Sequence, residues 1–342
     1  MTSTPRWFEP GTVLMLTSRT LEGRFYLVPD RPEVNEIIVG VVARAQRNHA
    51  VAIHGLVFMS NHFHMVVTGD NPEQIAAFMK HVKGNLTREI NKVRDRSGTM
   101  WHRRYDLERA DDDERSHVEM LAYVLAHGAK EGLVESPGMW PGVNSARELL
   151  DGADAATGVW TRRTAMGRTT TKVVAESPDR FRVKETVDLT PLPTLAHFSE
   201  EERREALRIA VEAAIARRET KNSNPARTLE EAQRRARRTD WRRIVGSPAG
   251  KHLRARRPAR WRRSESVEQY KAIARWYAEA SRAHRDGLAC TYPPWTIPAP
   301  LRMGERRGLP FKRLSLAVRK EWKRRAKTGV RQRGAGTRAQ RE

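Results

Sequence analysis

The feature that most constrains the fold is an ordered alternation of strand and helix patterns within the first 150 residues. Strands are predicted from short apolar or alternating runs, and helices from apolar residues that recur three or four positions apart. In chain order the patterns are a strand at 13–17, a helix at 34–47, strands at 51–58 and 62–68, a helix from Asn71-Pro72 to Val93, a strand at 103–110 and a helix from about 112 to 133. The turn at 59–61 is so short that it predicts an antiparallel hairpin.

This order, β-α-β-β-α-β-α, predicts an α+β fold. The arrangement is ferredoxin-like (split βαβ), an antiparallel sheet with helices on one face. We therefore expect residues 1–150 to form one domain. Residues 151–195 contain Thr, Gly and Pro and are weakly periodic, which predicts a linker or irregular segment. Residues 196–342 carry helical patterns, such as the Ser199 capping signal, and predict a mainly helical extension with a flexible tail.

The charge of the chain is divided unevenly. Residues 1–150 contain 18 Lys and Arg against 19 Asp and Glu, whereas residues 151–342 contain 46 against 22. The net charge of +23 therefore belongs to the second part. Such an arginine density favours a polyanionic partner, and nucleic acid is the first candidate because phosphate binding releases counterions. The alternative is a solvated basic tail that binds nucleic acid without specificity.

Other classes are excluded by what the composition lacks. No run approaches the roughly 20 apolar residues of a membrane span, so we expect no membrane partner. The single cysteine, Cys290, excludes an internal disulfide framework and a zinc site rich in thiolates. We expect a protein of the reducing cytoplasm.

His62-Phe63-His64 lies on a predicted strand. Because side chains alternate across a sheet, both imidazoles project from one face while Phe63 points to the other. The pair could bind a divalent metal, or it could be two surface histidines with no ligand.

Tyr123 and His127 lie one turn apart on the last predicted helix, opposite its main apolar stripe. The alternative to a functional pair is a tyrosine at a solvent edge beside an unrelated histidine. Together, His62, His64 and His127 could hold one cation at a phosphate, and Tyr123 could attack phosphorus to form a covalent link. Lys130, one further turn along, is a candidate phosphate contact or else a solvated lysine.

These residues carry a family resemblance. Asn61-His62-Phe63-His64-Met65-Val66-Val67 resembles the HUH motif of single-tyrosine transposases of the insertion-sequence-200 kind, close to the REP-associated tyrosine transposases. Trp101-His102-Arg103-Arg104-Tyr105 is similar to the family's W-x-x-R-[FY] strand. The segments Tyr123 to Val134 and Trp140 to Ser145 are similar to its tyrosine helix and the W…SS segment after it. The similarity covers about residues 10–148, in the family's order and spacing.

The resemblance implies that His62 and His64 are metal ligands and that Tyr123 is the nucleophile. Relatives carry Asn or Gln as the third ligand where this chain has His127, and Pro where it has Gly128. It also implies cleavage of single-stranded DNA, often beside hairpins, with Mg²⁺ or Mn²⁺, giving a 5′-phosphotyrosine and a free 3′-OH. Relatives work as dimers or as monomers, so a homodimer stays open.

Residues 151–342 lie outside the resemblance. Their arginine runs are expected to follow a DNA backbone, and Trp241 and Trp261 are candidates for stacking on unpaired bases. The predicted DNA-binding residues are Lys130, Arg234, Arg235, Arg237, Arg238, Arg256, Arg257, Arg262 and Arg263. Two other functions stay open. One is a domesticated DNA- or RNA-binding protein that recognises hairpins without cutting them, and the other is a metallohydrolase of small phosphoesters, which would leave the basic part unused.

Overall fold

The computed structural model describes residues 5–169, 171–217, 224–245, 264–298 and 311–312. The chain divides into two compact units, one made of residues 10–263 and the other of residues 1–9 with 264–342. The domain boundaries expected at residues 150 and 195 stay predictions.

A four-stranded antiparallel sheet organises the larger unit, with strand order β2-β3-β1-β4. Its elements follow the predicted order and confirm the ferredoxin-like α+β fold. They are β1 (Leu14–Arg19), α1 (Pro32–His49), β2 (Ala52–Phe58), β3 (His62–Thr68), α2 (Pro72–Val93), β4 (Asp106–Arg109) and α3 (Glu114–Leu125). The helix predicted to run to about 133 is interrupted at Ala126 and continues as the single turn α4 (His127–Lys130).

Local sequence explains where these helices begin. Asn71 caps α2 by accepting a hydrogen bond from the Gln74 backbone N–H, and Pro72 occupies the first turn, where a missing N–H costs nothing. Asp113 caps α3 in the same way through the Ser116 N–H. The acidic run 111–114 therefore acts at the helix start, as its position predicts.

The two faces of the sheet carry different helices. Phe63 packs edge-on against Trp101, whose indole N–H bonds to a carbonyl of α2, and α2 packs against α1. Helices α1 and α2 therefore lie on one face of the sheet, as predicted. On the opposite face α3 packs against β2 and β3. A Cβ at Gly55 of β2 would collide with Leu121 of α3, so the glycine lets this helix approach the strand closely.

Residues 151–195, expected to be irregular, contain a small antiparallel sheet. The elements from 146 to 186 are α5 (Ala146–Asp151), β5 (Thr157–Thr161), α6 (Arg163–Gly167), α7 (Thr171–Glu176) and β6 (Arg182–Thr186), with β5 paired to β6. This sheet packs on α1 where Gly40 and Gly158 meet with no room for a Cβ. The contact depends on two glycines far apart in the chain, which periodicity does not detect.

Two further helices complete the described part of this unit. Ser199 and Glu202 form the predicted capping box of α8 (Glu200–Ala216), which packs on α3 and α5. In α9 (Leu229–Arg237) the small side chains of Ala232 and Ala236 are buried.

The smaller unit contains α10 (Ser264–Arg285) and a parallel pair of two-residue strands, β7 (Cys290–Thr291) and β8 (Phe311–Lys312). Tyr277 of α10 is buried against Tyr292, and its hydroxyl donates to the Ile297 carbonyl. The Trp276 indole N–H donates to the Thr291 carbonyl. Both aromatics therefore support the local packing. Among the described residues, no helix is both long and apolar enough to cross a membrane.

Candidate active site

The pleat of β3 places the two histidines of the sequence motif on the α3 face of the sheet. His64 is buried and His62 is half-buried, while Phe63 between them stacks on Phe58 on the other face. The imidazole rings of His62 and His64 are 5.2 Å apart between centroids. The alternation expected for a strand is thus present.

Two neighbouring side chains orient these imidazoles. The Asn61 amide donates through Nδ2 to the Gly23 carbonyl, which turns its Oδ1 toward His62 Nδ1 at 2.7 Å. Since an amide oxygen only accepts, Nδ1 of His62 carries the proton and Nε2 offers a lone pair. The Thr17 hydroxyl lies 2.7 Å from His64 Nδ1, which leaves the buried Nε2 as the nitrogen available to a ligand. Both imidazoles therefore present Nε2 as a ligand atom.

His127 approaches the same point from the helix. It opens α4 directly after α3, and it is buried at 3% exposure. Its Nε2 lies 2.9 Å from His62 Nε2, and its ring is 4.7 Å from that of His64. Each of the three histidines offers a nitrogen within 4.8 Å of the others. Within the described ranges this is the one group of three or more His, Cys, Asp or Glu side chains with that proximity.

Tyr123 lies beside the three histidines, which we call the histidine cluster. Its ring centroid is 5.6 Å from that of His64 and 5.5 Å from that of His127. The ring is half-buried, so one side reaches solvent. Lys130 Nζ is held 4.6 Å from the ring centroid, a cation–π contact that places the ammonium at the edge of the cluster. The four residues singled out for chemistry and the candidate phosphate contact are thus in one place.

Other ionisable side chains of this unit have different surroundings. Tyr105, at the end of the segment similar to W-x-x-R-[FY], is buried at 7% exposure. His54 bonds to the Thr190 carbonyl and His117 to the Thr194 hydroxyl, and burial lowers the pKa of both imidazoles. Both histidines contact the 187–195 segment and are held neutral, as buried histidines usually are.

The predicted DNA-binding arginines are only partly described. On α9, Arg234, Arg237 and the C-cap residue Arg238 are exposed, whereas Arg235 is held by Glu231 and the Asn224 carbonyl. Arg256, Arg257, Arg262 and Arg263 lie outside the described residues, as does Trp261. Trp241, a candidate for base stacking, instead packs against Tyr26 with the rings 5.9 Å apart.

Sequence reasoning missed the residues that orient the ligands. Thr17 has no motif of its own, and only the pairing of β1 with β3 brings it opposite His64. Asn61 belongs to the predicted turn and is the first residue of the segment similar to the HUH motif, but neither pattern gave it a role in orienting His62.

Fold and site together define a class of protein: a ferredoxin-like domain whose central strand and following helix bring three imidazoles and a tyrosine to one point. Residues 29–125 match the family model described as Transposase IS200 like, so this part of the chain is similar to that transposase family. The match includes His62, His64 and Tyr123, and it ends two residues before His127.

Two solved structures are similar to part of the chain. A REP-associated tyrosine transposase bound to a REP hairpin is 14% identical with a TM-score of 0.37, and the match covers 44% of this chain and 86% of that one. A candidate transposase from Deinococcus radiodurans R1 is 15% identical with a TM-score of 0.24, covering 31% of this chain and 85% of that one. Among curated proteins no significant match is found.

Proposed function

We propose that this protein is a metal-dependent transposase that cuts and rejoins single-stranded or hairpin DNA through a 5′-phosphotyrosine. The observation that carries the proposal is the meeting of Tyr123 with three histidines, one of them absent from the HUH motif itself. A family match alone does not predict that these four side chains lie together, because a descendant that no longer cleaves DNA could keep the fold and lose the site.

The histidine cluster fits a divalent cation by its donor chemistry. The hydrogen bonds of Asn61 and Thr17 leave Nε2 of His62 and His64 as ligand atoms, and His127 brings a third nitrogen within bonding reach of the same space. When bound, such a cation supplies Lewis acidity at a phosphate oxygen and stabilises charge that develops during cleavage. Nitrogen donors suit Mn²⁺ and later transition metals better than Mg²⁺, so of the two ions expected we favour Mn²⁺.

Tyr123 is the proposed nucleophile. Its oxygen attacks phosphorus, the bond from phosphorus to the 3′ oxygen breaks, and the phenolic proton leaves while the departing oxygen takes one up as a 3′-OH. The products are a 5′-phosphotyrosine and a free 3′-OH, so the phosphate ester is conserved for rejoining. The half-exposed position of the ring leaves one side open to a DNA strand.

Lys130 would assist the same step from beside the phenol ring. Its ammonium, held over the ring, is placed to contact a phosphate oxygen next to the attacked bond. The exposed arginines of α9, and those predicted at 256, 257, 262 and 263, would bind the flanking backbone. We propose that the protein acts in the cytoplasm, as a monomer or a homodimer.

A denaturing gel tests the nucleophile. The full chain is incubated with Mn²⁺ and a labelled hairpin oligonucleotide that represents the end of the mobile element. We expect a covalent protein–DNA adduct that is absent from Tyr123→Phe and retained by the matched control Tyr105→Phe. An adduct that survives in Tyr123→Phe would show that the nucleophile is another residue.

The same gel distinguishes the proposed function from its two alternatives. If the wild-type protein binds the hairpin tightly in a gel-shift experiment and yet forms no adduct, the reading as a domesticated hairpin-binding protein is correct. If it hydrolyses a small phosphodiester without forming an adduct, the metallohydrolase reading is correct.

A further inference from the structure

A basic segment, residues 224–245, is attached to the catalytic unit at both ends. It contains α9 and carries seven arginines against three acidic residues. We call it the arginine strap. In the sequence it belongs to an extension expected to be separate from the first domain. In the structure it lies within the same compact unit as the sheet and the histidine cluster.

The first end of the strap is fixed next to His127. Ala226 forms a parallel β-bridge with Val134, with hydrogen bonds from Ala226 N to Leu133 O and from Glu135 N to Ala226 O. Val134 in turn contacts Gly128, the residue after His127, where an added Cβ would be 3.3 Å from Val134 Cγ2. Ala226 is fully buried in this contact.

The second end is fixed next to His62. Trp241 packs on Tyr26 and beneath the buried guanidinium of Arg94, 5.8 Å from the ring centroid. The Arg242 carbonyl accepts a hydrogen bond from Arg24, and the Val245 carbonyl lies against Gly23. The carbonyl of Gly23 also accepts from Asn61, the residue that orients His62. The strap thus joins the two sides of the histidine cluster.

Between its ends the strap turns its charge outward. Ala232 and Ala236 are buried, and small side chains let α9 lie close to the unit. Arg234, Arg237 and Arg238 are exposed on its other side. The strap has only three acidic side chains, Glu230, Glu231 and Asp240, against its seven arginines, and Glu231 pairs with Arg235. Guanidinium groups form charge-assisted hydrogen bonds with phosphate oxygens, and their binding to a nucleic-acid backbone releases counterions.

We propose that the arginine strap is the binding surface for the single-stranded DNA segment that flanks the cleaved phosphate, and that it positions this strand next to the histidine cluster. This inference rests on the proposed function and adds the location of the strand. Trp241 is then a positioning residue that anchors the strap, in place of a base-stacking residue, because its ring is engaged by Tyr26 and Arg94.

Cutting by Fe²⁺ bound at the histidine cluster tests where the strand lies. The full chain is loaded with Fe²⁺ and given ascorbate, hydrogen peroxide and an end-labelled hairpin flanked on both sides by thymidine tracts. Hydroxyl radicals made at the cluster cut only nearby nucleotides. We expect local cutting of one flank by the wild-type protein, and none by His62→Ala.

The variants decide the role of the strap. The triple variant Arg234→Gln/Arg237→Gln/Arg238→Gln removes three cations, and Trp241→Ala removes the anchor without changing the charge. We expect the local cuts to fall about tenfold in both variants. In the triple variant the slope of the logarithm of the DNA-binding constant against the logarithm of the salt concentration should also fall by about 2, since each phosphate contact on a single strand contributes roughly 0.7. The matched control is Arg162→Gln/Arg168→Gln/Arg180→Gln, three exposed arginines in the segment between β5 and β6, which should leave both readouts unchanged.

The outcomes are distinguishable. Equal loss in the strap triple and the control triple, or wild-type cutting in both strap variants, overturns the strap proposal and leaves the Tyr123 adduct untouched. If the wild-type protein gives neither adduct nor local cutting, the proposed function fails. In that case the salt dependence of DNA binding still tests whether the strap contacts DNA. An unchanged slope in the triple arginine variant would show that it does not.

Discussion

Replacing Thr17 by valine should weaken metal binding without disturbing the fold of the site. Thr17 Oγ1 lies 2.7 Å from His64 Nδ1, and both side chains are buried, at 4% and 1% exposure. Valine has nearly the same shape, so the substitution leaves no cavity. It removes the hydroxyl whose contact with Nδ1 leaves Nε2 as the ligand atom.

The magnitude follows from the burial of this hydrogen bond. Losing an outer-sphere partner of a metal-binding histidine typically costs about 10- to 100-fold in affinity, or roughly 1.4–2.7 kcal/mol. The buried Nδ1 left without its hydroxyl should also lower the free energy of unfolding of the metal-free protein by about 1–3 kcal/mol. Both effects should appear together, since they have one cause.

Calorimetric titration of the full chain with Mn²⁺ measures the first effect, and urea unfolding of the metal-free protein the second. Ser18→Ala is the matched control, because Ser18 is equally buried on the same strand but pairs with Phe63, on the other face of the sheet. If Thr17→Val and Ser18→Ala bind Mn²⁺ as tightly as the wild-type protein, Thr17 does not orient a metal ligand and the argument from its hydrogen bond is refuted.

Three further predictions concern the helix side of the site and the response to acid. His127→Asn exchanges a nitrogen ligand for an oxygen, so adduct formation should shift from Mn²⁺ toward Mg²⁺; an unchanged ratio of rates with the two ions contradicts a ligand role for His127. Gly55→Val should push Leu121 and α3 away from the sheet, costing about 1–3 kcal/mol in urea unfolding and slowing the adduct step; normal values of both would refute the close approach. Because burial lowers the pKa of His117, the unfolded chain binds protons that the folded chain does not. The contribution of His117 to the free energy of unfolding is therefore fully present above about pH 6.5 and is lost as the pH falls below that value. His117→Gln should flatten this dependence in urea titrations, and an unchanged slope would exclude His117 as its source.

Several elements follow from local sequence because their causes are local. The hairpin of β2 and β3 needs only two alternating runs and a short turn between them. The start of α2 needs only Asn71, whose side chain accepts from the Gln74 N–H within the first turn, and Pro72, which has no N–H to satisfy. The pairing of His62 with His64 on one face follows from the two-residue period of a strand.

The site itself depended on more than local pattern. Spacing of i and i+4 puts Tyr123 and His127 on one side of a helix, but the side they face is set by how α3 packs on the sheet, which the close approach at Gly55 permits. The family resemblance supplied this convergence in advance. The residues alone left a solvent-edge pair as an equal alternative.

What the sequence by itself determined is the order of elements, their periodic faces and the residue types available for chemistry, since all of these depend on neighbours a few positions apart. Only the tertiary structure decided that Thr17 contacts His64, that β5 and β6 form a sheet on α1, and that the arginine strap contacts residues on both sides of the histidine cluster. Each of these contacts joins segments from tens to more than a hundred residues apart, as when Ala226 pairs with Val134. Such pairings are selected by the free energy of packing the whole unit, and no short stretch of chain records that free energy.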